Sequence, residues 1–490
     1  MSDNFLYFGD NLKILREYVK DETVDLIYLD PPFNSKADYN ILFKEPTGEF
    51  SKAQITAFGD TWHWNEETER AFREIIRIAP SNVIEMMNSF RQFLHPNDMM
   101  AYLTMMCIRL VELKRVLKDT GSIYLHCDPT ASHYLKTLMD AIFGKKFFRN
   151  EIIWHYRKWP SGSRQFQRNH DCILFYSKTD SPERIFNKVD LMDRTQSTLK
   201  RFGKLKIVSG HDEDGKRLPS QMEEEESLGV PRDDVWDIGR VPPIKQLFPT
   251  QKPELLLSRI LRASTNEGDV VLDPFCGCGT TVVEAYKHRR KWIGIDITHL
   301  AVNLIKWRLS DMFGLEAGVE YKVVGEPENM EGAKELALES RHQFQWWATA
   351  FIDAKPFGDK KKGADTGIDG WLYYFGEKKQ LGKAVVSVKS GGVSVKDIRD
   401  LGHVIDRENS GIGILITLEK PTRNMQLEAV NKGFYHSETF NKDYPRIQIL
   451  TVEEMLKGKR PDTPPTIVSY KRAQKSTRED NMVFEFDSIT

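Results

Sequence analysis

Residues 269–297 read DVVLDPFCGCGTTVVEAYKHRRKWIGIDI. The short apolar run 270–273 ends on Asp273 and has the length of a buried strand. Behind it Gly277 and Gly279 permit a close backbone approach that a side chain would block. Residues 280–288 then carry helical spacing, so the first N–H groups of a helix face the turn. A second apolar run ends on Asp296, 23 residues beyond Asp273, where a carboxylate can accept hydrogen bonds from ribose hydroxyls. The turn is not G-x-G-x-x-G, and no lysine follows the glycines as it would in a phosphate-cradling loop. The pattern describes a nucleoside site that need not hold a pyrophosphate. A ligand with a ribose and an adenine but no phosphates, such as S-adenosylmethionine, suits it better than NAD or ATP.

Working outward, VDLIY at 24–28 reads as a strand that runs into LDPPFN at 29–34. Pro31 and Pro32 end a strand by removing donors and fixing φ, so taken alone Asp30 is a turn residue. GSIYLHCD at 121–128 reads as another strand. MMAYLTMMCIRLVELKRVLK at 99–118 has helical spacing and meets a stop signal at Asp119-Thr120-Gly121. KPELLLSRILRAST and HLAVNLIKWRLSDMF flank the opening stretch as helices. Strands and helices alternate, which implies an α/β fold with a largely parallel sheet and helices on both faces.

A chain of 490 residues implies two to four domains. Its 40% hydrophobic and 29% charged residues are ordinary for a globular protein. No apolar run approaches the length of a membrane span, so no membrane partner is expected. MSDNFLYFGD lacks the basic and apolar regions of a secretion signal, and the reading is cytoplasmic. Five cysteines in such a chain imply free thiols, and Cys276 and Cys278 form only a C-x-C without a second zinc-like pair.

The net charge of −1 decides nothing about nucleic acid, but its distribution is uneven. Between residues 145 and 206, 15 Lys and Arg stand against 6 Asp and Glu, interleaved with Trp154, Tyr156, Trp159, Phe166 and Tyr176. That pattern suits a surface that neutralises phosphates and stacks bases; a solvated surface over a buried aromatic set explains it as well. HDEDG and MEEEES then reverse the sign and read as exposed loops.

LDPPFN, FPTQKPELLL and LDPFCGCGTT, in that order, resemble the motifs of amino-group DNA methyltransferases of the permuted beta class. The resemblance covers about residues 5 to 310. It implies a Rossmann-like S-adenosylmethionine-dependent methyltransferase fold, with double-stranded DNA as partner and N6 of a flipped adenine as the target. N4 of cytosine is the alternative. Asp at the first motif position goes mostly with adenine in that class, and Asp30 stands there. RNA or protein glutamine is a weaker alternative, because related enzymes on those substrates do not usually combine this order with a long intervening segment. Carried over, Asp30 and the Pro31 carbonyl would accept hydrogen bonds from the target amine, with Pro32 as bracket and Phe33 stacking on the base. Asp273, Pro274, Phe275, Cys276, Gly277, Gly279, Thr280 and Thr281 would form the cofactor loop, and Asp296 would be the ribose acid. Lys252 would meet the methionine carboxylate and Asp10 would lie near the adenine. The methyltransferase needs no metal. The class admits a homodimer and a separate restriction subunit as partners, and implies a prokaryotic or phage origin.

The implied organisation is 1–154 catalytic part, 155–247 target recognition, 248–325 cofactor part, 326–340 linker, 341–460 a second domain and 461–490 a tail. In the second domain KKKGADTGIDGWLYYF, KAVVSVKSGG, VSVKDIRDLGHVIDREN and GIGILITLEKPT read as turn, strand, strand, helix and strand. This arrangement resembles the PD-(D/E)xK restriction endonuclease superfamily. It implies a small α/β domain in which Asp369 would bind Mg²⁺ and Lys389 would assist a water. Ser387 departs from the pattern, since an acid or Gln is expected there and a neutral hydroxyl is a poor ligand for a hard cation. Gln343 and Gln345 stand where a helix glutamate would help. Cleavage by a fused restriction and modification enzyme, a nuclease-like module that only binds DNA, and a non-catalytic DNA-binding protein are the competing readings. Asp30 and Phe33 argue against the last.

Overall fold

The structure is a computed structural model. It describes residues 3–32, 38–44, 50–59, 63–159, 164, 166–189, 191–192, 196–208, 216, 221–226, 229–242, 246, 251–357, 367–377 and 381–466.

Among the described residues nine strands make one sheet. In chain order they are β1 (Phe5–Phe8), β2 (Val24–Leu29), β3 (Leu117–Cys127), β4 (Phe148–His155), β5 (His170–Ser177), β6 (Val235–Asp237), β7 (Val270–Asp273), β8 (Lys291–Asp296) and β9 (Lys322–Val324). They lie in the order β6-β4-β5-β3-β2-β7-β8-β1-β9. Neighbours run parallel except at β5, which is antiparallel to β3 and β4. A parallel strand covered on both faces must be apolar throughout, and all six residues of β2 are buried. Its side chains alternate between faces. Ile27 and Leu29 join the core under α1 (Asn11–Tyr18) and α2 (Asp98–Val116). Leu26 and Tyr28 join the core under α3 (Glu254–Ser264), α4 (Thr280–Lys287) and α5 (His299–Phe313).

Three details differ from the sequence reading. Asp119, Thr120 and Gly121 do not form the helix stop. The helix closes at Val116, and these residues lie in β3, where Val24 pairs with Leu117 and Leu26 with Ser122. A bulge absorbs the intervening residues of β3. MEEEES is not a loop, because Gln221–Glu226 pairs antiparallel with Leu205–Val208; HDEDG lies outside the described residues. Segment 155–247 contributes β5 to the middle of the sheet and β6 to its edge, so it is not set apart from the core.

The expected linker contains helix α6 (Met330–Glu339), followed by α7 (Arg341–Phe351). A second sheet runs β10 (Lys355–Pro356), β11 (Gly370–Phe375), β12 (Leu381–Lys389), β13 (Ile412–Thr417), β14 (Ile447–Thr451) in sequence order. The first three strands are antiparallel and the last two join in parallel. Phe344 and Trp347 of α7 fill one face. Ile398, Leu401 and Ile405 of α8 (Val395–Arg407) fill the other. Helices α5 and α7 meet where His299 N–H donates to Gln343 Oε1 at 3.1 Å.

Candidate active site

Asp273 ends β7, Asp296 ends β8 and Asp30 follows β2 directly. These strands are parallel neighbours, so the three acids share the carboxyl edge of the sheet, where open α/β sheets place ligands. They face one cavity of about 270 Å³, which also takes in Asp10, Pro31, Pro32, Lys252, Pro274, Phe275, Cys276, Gly277, Thr280 and Thr281. Phe33 lies outside the described residues.

The Gly-rich turn is held from within. Phe275 N–H donates to Asp273 Oδ1 at 3.0 Å and Gly277 N–H to Asp296 Oδ2 at 3.0 Å. Gly279 does not line the cavity. It takes φ +73° at the start of α4, and a Cβ there would stand 2.6 Å from Ile305 Cγ1. Its glycine is therefore required by both backbone conformation and packing. Thr298 donates twice to Asp296 Oδ1, from N–H at 2.9 Å and from Oγ1 at 2.8 Å. Burial pushes the Asp273 carboxyl up to about 7 and the Asp296 carboxyl up to about 6.

Asp10 caps α1 by accepting from Leu12 N–H at 2.7 Å, and Arg109 Nη2 lies 3.2 Å from each of its oxygens. Arg109 Nε also donates to Asn11 Oδ1 at 2.6 Å, and Asn11 Nδ2 to the Pro274 carbonyl at 2.8 Å. This brace ties α1 and α2 to the cofactor-type loop. Sequence reasoning missed Asn11 and Arg109, although an arginine amid the apolar residues of α2 was the available signal.

Asp30 is only 15% exposed and pairs through Oδ2 with the Lys252 ammonium. Lys252 thus meets the carboxylate of Asp30 in this structure. Residues 251–253 before α3 bring Lys252 to the same edge, where it finds an anion already in place. Asp30 Oδ1 has no hydrogen bond among the described residues; His126 Nδ1 stands 3.9 Å from it. His126 is fully buried. Its Nδ1 is 2.9 Å from the Tyr28 hydroxyl and its Nε2 3.4 Å from Asp171 Oδ2, while the Tyr156 hydroxyl donates to Asp171 Oδ1 at 3.0 Å. Burial works against ionising Asp171, yet bonds from His126 and Tyr156 hold its carboxyl below the ordinary range. Burial first, then the charge of Asp30, raises the Tyr28 phenol well above its usual value. Tyr28, His126 and Asp171 sit on adjacent strands β2, β3 and β5, and Tyr156 directly follows β4. LHCD and NHDC, polar groups inside apolar strands, were their unread signal.

The chain between β4 and β5 emerges at this same edge, because His155 pairs with His170 and Cys172 with Cys127. Trp159 is 93% and Phe166 99% exposed there, with Arg157, Lys158, Arg164 and Arg168 exposed beside them. Gln167 Nε2 donates to the Trp159 carbonyl at 2.8 Å and draws the two sides of the segment together. Trp154, Tyr156 and Tyr176 are buried instead. The aromatic residues of the basic run are thus divided between exposed and buried rings.

In the second sheet Asp369 immediately precedes β11. Gln345 donates to its Oδ1, Val388 N–H to Oδ2 at 2.6 Å, and Ser387 Oγ lies 3.4 Å from Oδ2. Lys389 lines a separate cavity of about 290 Å³ with Gln345, Arg341 and His342. Gln343 turns away to His299. Among the described residues no group of three His, Cys, Asp or Glu is arranged to hold a metal ion, and no helix is long and apolar enough to cross a membrane. All five cysteines are free and buried.

The DNA methylase family model for N6 and N4 enzymes matches residues 24–306. The chain belongs to this DNA methylase family. It is 31% identical over 208 residues to the type II methyltransferase M.HpaI of Haemophilus parainfluenzae, covering 42% of this chain and 58% of that one. Over 192 residues it is 31% identical to the DNA adenine methyltransferase YhdJ of Escherichia coli, covering 38% and 60%. The chain thus spans about three fifths of these two relatives. Among solved structures, a putative DNA modification methylase from Thermus thermophilus aligns with 65% of this chain and 99% of its own, at 17% identity and a TM-score of 0.36.

Proposed function

We propose that the chain transfers a methyl group from S-adenosylmethionine to the exocyclic amine of a base in duplex DNA, with N6 of adenine as the target. The observation that carries this reading is the single cavity shared by Asp30, Asp273 and Asp296 at the ends of neighbouring strands. Among the described residues four carboxylates face it, those of Asp10, Asp30, Asp273 and Asp296, and the two cations that line it, Arg109 and Lys252, are already paired to Asp10 and Asp30. That donor set fits a cationic ligand with ribose hydroxyls and no phosphate. Asp296 would hold the ribose, Asp10 would stand at the adenine end, and Phe275 and Gly277 would form the wall.

An exocyclic amine attacks poorly because its lone pair is delocalised into the ring. Asp30 Oδ1, left available by the Lys252 contact at Oδ2, accepts one N–H, and the Pro31 carbonyl accepts the other. The two acceptors turn the nitrogen towards tetrahedral geometry. S-adenosylmethionine, when bound, supplies an activated methyl on a sulfonium for in-line displacement. Holding amine and methyl together contributes several kcal/mol, on the order of the entropy of one encounter. Asp30 therefore orients first and accepts a proton afterwards.

The base must leave the stack to reach this edge. Trp159 and Phe166 with their arginines and lysine give a basic, aromatic element beside the cavity, suited to phosphates and base faces. Phe33 is assigned to the flipped base by its motif alone. Asp30 at the first motif position and the similarity to the DNA adenine methyltransferase YhdJ both favour adenine, and the relatives' names suggest a restriction-modification setting. The decisive experiment incubates the protein with methyl-labelled S-adenosylmethionine and unmethylated duplex DNA. Label on N6-methyladenine is expected; label on N4-methylcytosine overturns the base assignment, and none on DNA overturns the reading. Sequencing that detects modified bases in DNA from expressing cells then supplies the site.

A second reading, Mg²⁺-dependent DNA cleavage by the C-terminal sheet, is favoured by the gathering of Gln345, Asp369 and Ser387, with Lys389 two residues beyond Ser387. It rests on one carboxylate, a weak donor set for a hard cation. Supercoiled DNA with Mg²⁺, compared between the wild type and Asp369→Ala, tests it; equal cutting removes the assignment.

A further inference from the structure

The largely buried chain Tyr28, His126, Asp171 and Tyr156 carries more polar groups than packing requires. Four apolar side chains would fill that volume without the cost of desolvating polar groups. Its position explains it better. Asp171 accepts at both oxygens, from Tyr156 at Oδ1 and from His126 at Oδ2. A carboxylate only accepts, so the His126 proton sits on Nε2. Nδ1 then offers a lone pair, filled by the Tyr28 hydroxyl at 2.9 Å. The same Nδ1 stands 3.9 Å from Asp30 Oδ1. In the other tautomer an Nδ1–H would point into the space shared by Tyr28 and Asp30, and it could occupy the oxygen that the target amine requires.

We infer that Asp171 is a positioning residue which, by fixing the Nε2–H tautomer of His126, keeps Asp30 Oδ1 free to accept the target amine. The inference rests on the methyl-transfer reading and adds to it two residues outside the motifs. Among the described residues, the groups facing the imidazole include Tyr28 and Asp30 from β2 and its end, Asp171 from β5 and the Trp154 ring edge from β4, with Lys252 across Asp30.

The test compares single-turnover methyl transfer with cofactor affinity. Asp171→Asn brings an amide whose NH₂ can donate to Nε2 and so admits the other tautomer. It is expected to slow transfer about tenfold or more, the scale of a misaligned reacting group, while the Kd for S-adenosylmethionine stays within about twofold. Asp171→Glu, which remains acceptor-only, is expected to recover much of the rate. A rate for Asp171→Asn within about twofold of wild type overturns the inference, as does a Glu variant that folds normally and is equally slow. Nitrogen-15 spectra of histidine-labelled wild type, with the resonance assigned through His126→Asn, read the tautomer without relying on Asp171→Asn folding. An Nδ1–H signal for His126 also overturns it. Wild-type protein that transfers no methyl to any DNA instead defeats the methyl-transfer reading, and this inference falls with it.

Discussion

Asp30 and Asp369 are both aspartates at strand ends, one in each sheet, and both lie in motifs that suggest catalysis. Their surroundings differ. Asp30 lines a cavity and gives one oxygen to Lys252, while the other has His126 Nδ1 3.9 Å away. Asp369 is engaged at both oxygens by Gln345, Val388 N–H and Ser387. A carboxylate with an available lone pair beside a cavity can take up a substrate group. One enclosed by its own fold must first surrender bonds, each worth about 1 kcal/mol or more when the partner is left buried. The motif names the residue, and the hydrogen-bond census shows what it is ready to do.

The strongest way to break the comparison is to remove Asp30. Asp30→Ala should lower single-turnover methyl transfer by on the order of 10³-fold or more, about 4 kcal/mol of barrier, with S-adenosylmethionine affinity within about threefold by calorimetry. An active Ala variant would make Asp30 a bracket residue like any other. Next in size is Asp296→Asn, expected to weaken S-adenosylmethionine binding about tenfold, the loss of a charge-assisted acceptor. The wild-type affinity should also rise with pH, because carboxyls raised to about 6 and about 7 ionise across that range and then face a cation. Folding stability moves the other way. A carboxyl whose folded pKa lies above its unfolded value of 3.8 contributes stability fully at low pH, and that contribution is lost as pH rises through 6 to 7. Tm of the ligand-free protein and calorimetric Kd, taken over the same pH series, should therefore diverge.

Much of this site was legible in the chain. DPPF and DPFCGCG each end an apolar run, and parallel strands place their carboxyl ends on one edge, so Asp30, Asp273 and Asp296 could be brought together before any coordinates. Lys252 was not legible in the same way: its partner is 222 residues distant, and a lysine next to a proline turn carries no periodicity that points at an acid. His126 and Asp171 sit in strands whose apolar pattern masks them, and their pairing depends on β5 entering the sheet against its neighbours' direction. Segment 155–247 looked irregular because polar stretches surround β5, while β5 itself supplies six successive buried residues to the middle of the sheet.

A smaller effect sharpens the contrast from the DNA side. Trp159 and Phe166 are exposed to a degree that a folded chain gains nothing from, so replacing both with Ala should leave Tm unchanged. If each ring stacks on a base at about 1–3 kcal/mol, duplex affinity should fall about tenfold or more, with cofactor affinity untouched. Unchanged DNA binding would return the pair to an ordinary surface role.

The smallest expected effect on methylation is that of Asp369→Ala. Its carboxylate lies in the second sheet, so transfer to DNA should remain within about twofold of wild type. Stability should fall, however, because Val388 N–H and the Gln345 amide lose their acceptor, at about 1–3 kcal/mol for a buried donor left unsatisfied. Asp369→Asn retains an acceptor oxygen but also brings an NH₂ towards the donors, so it should fall between wild type and Ala in thermal unfolding. If Asp369→Ala instead slows methyl transfer severely with Tm unchanged, the two aspartates are not separate. The contact between His299 and Gln343, which joins the helix after Asp296 to the helix that carries Gln345, would then be the route to examine.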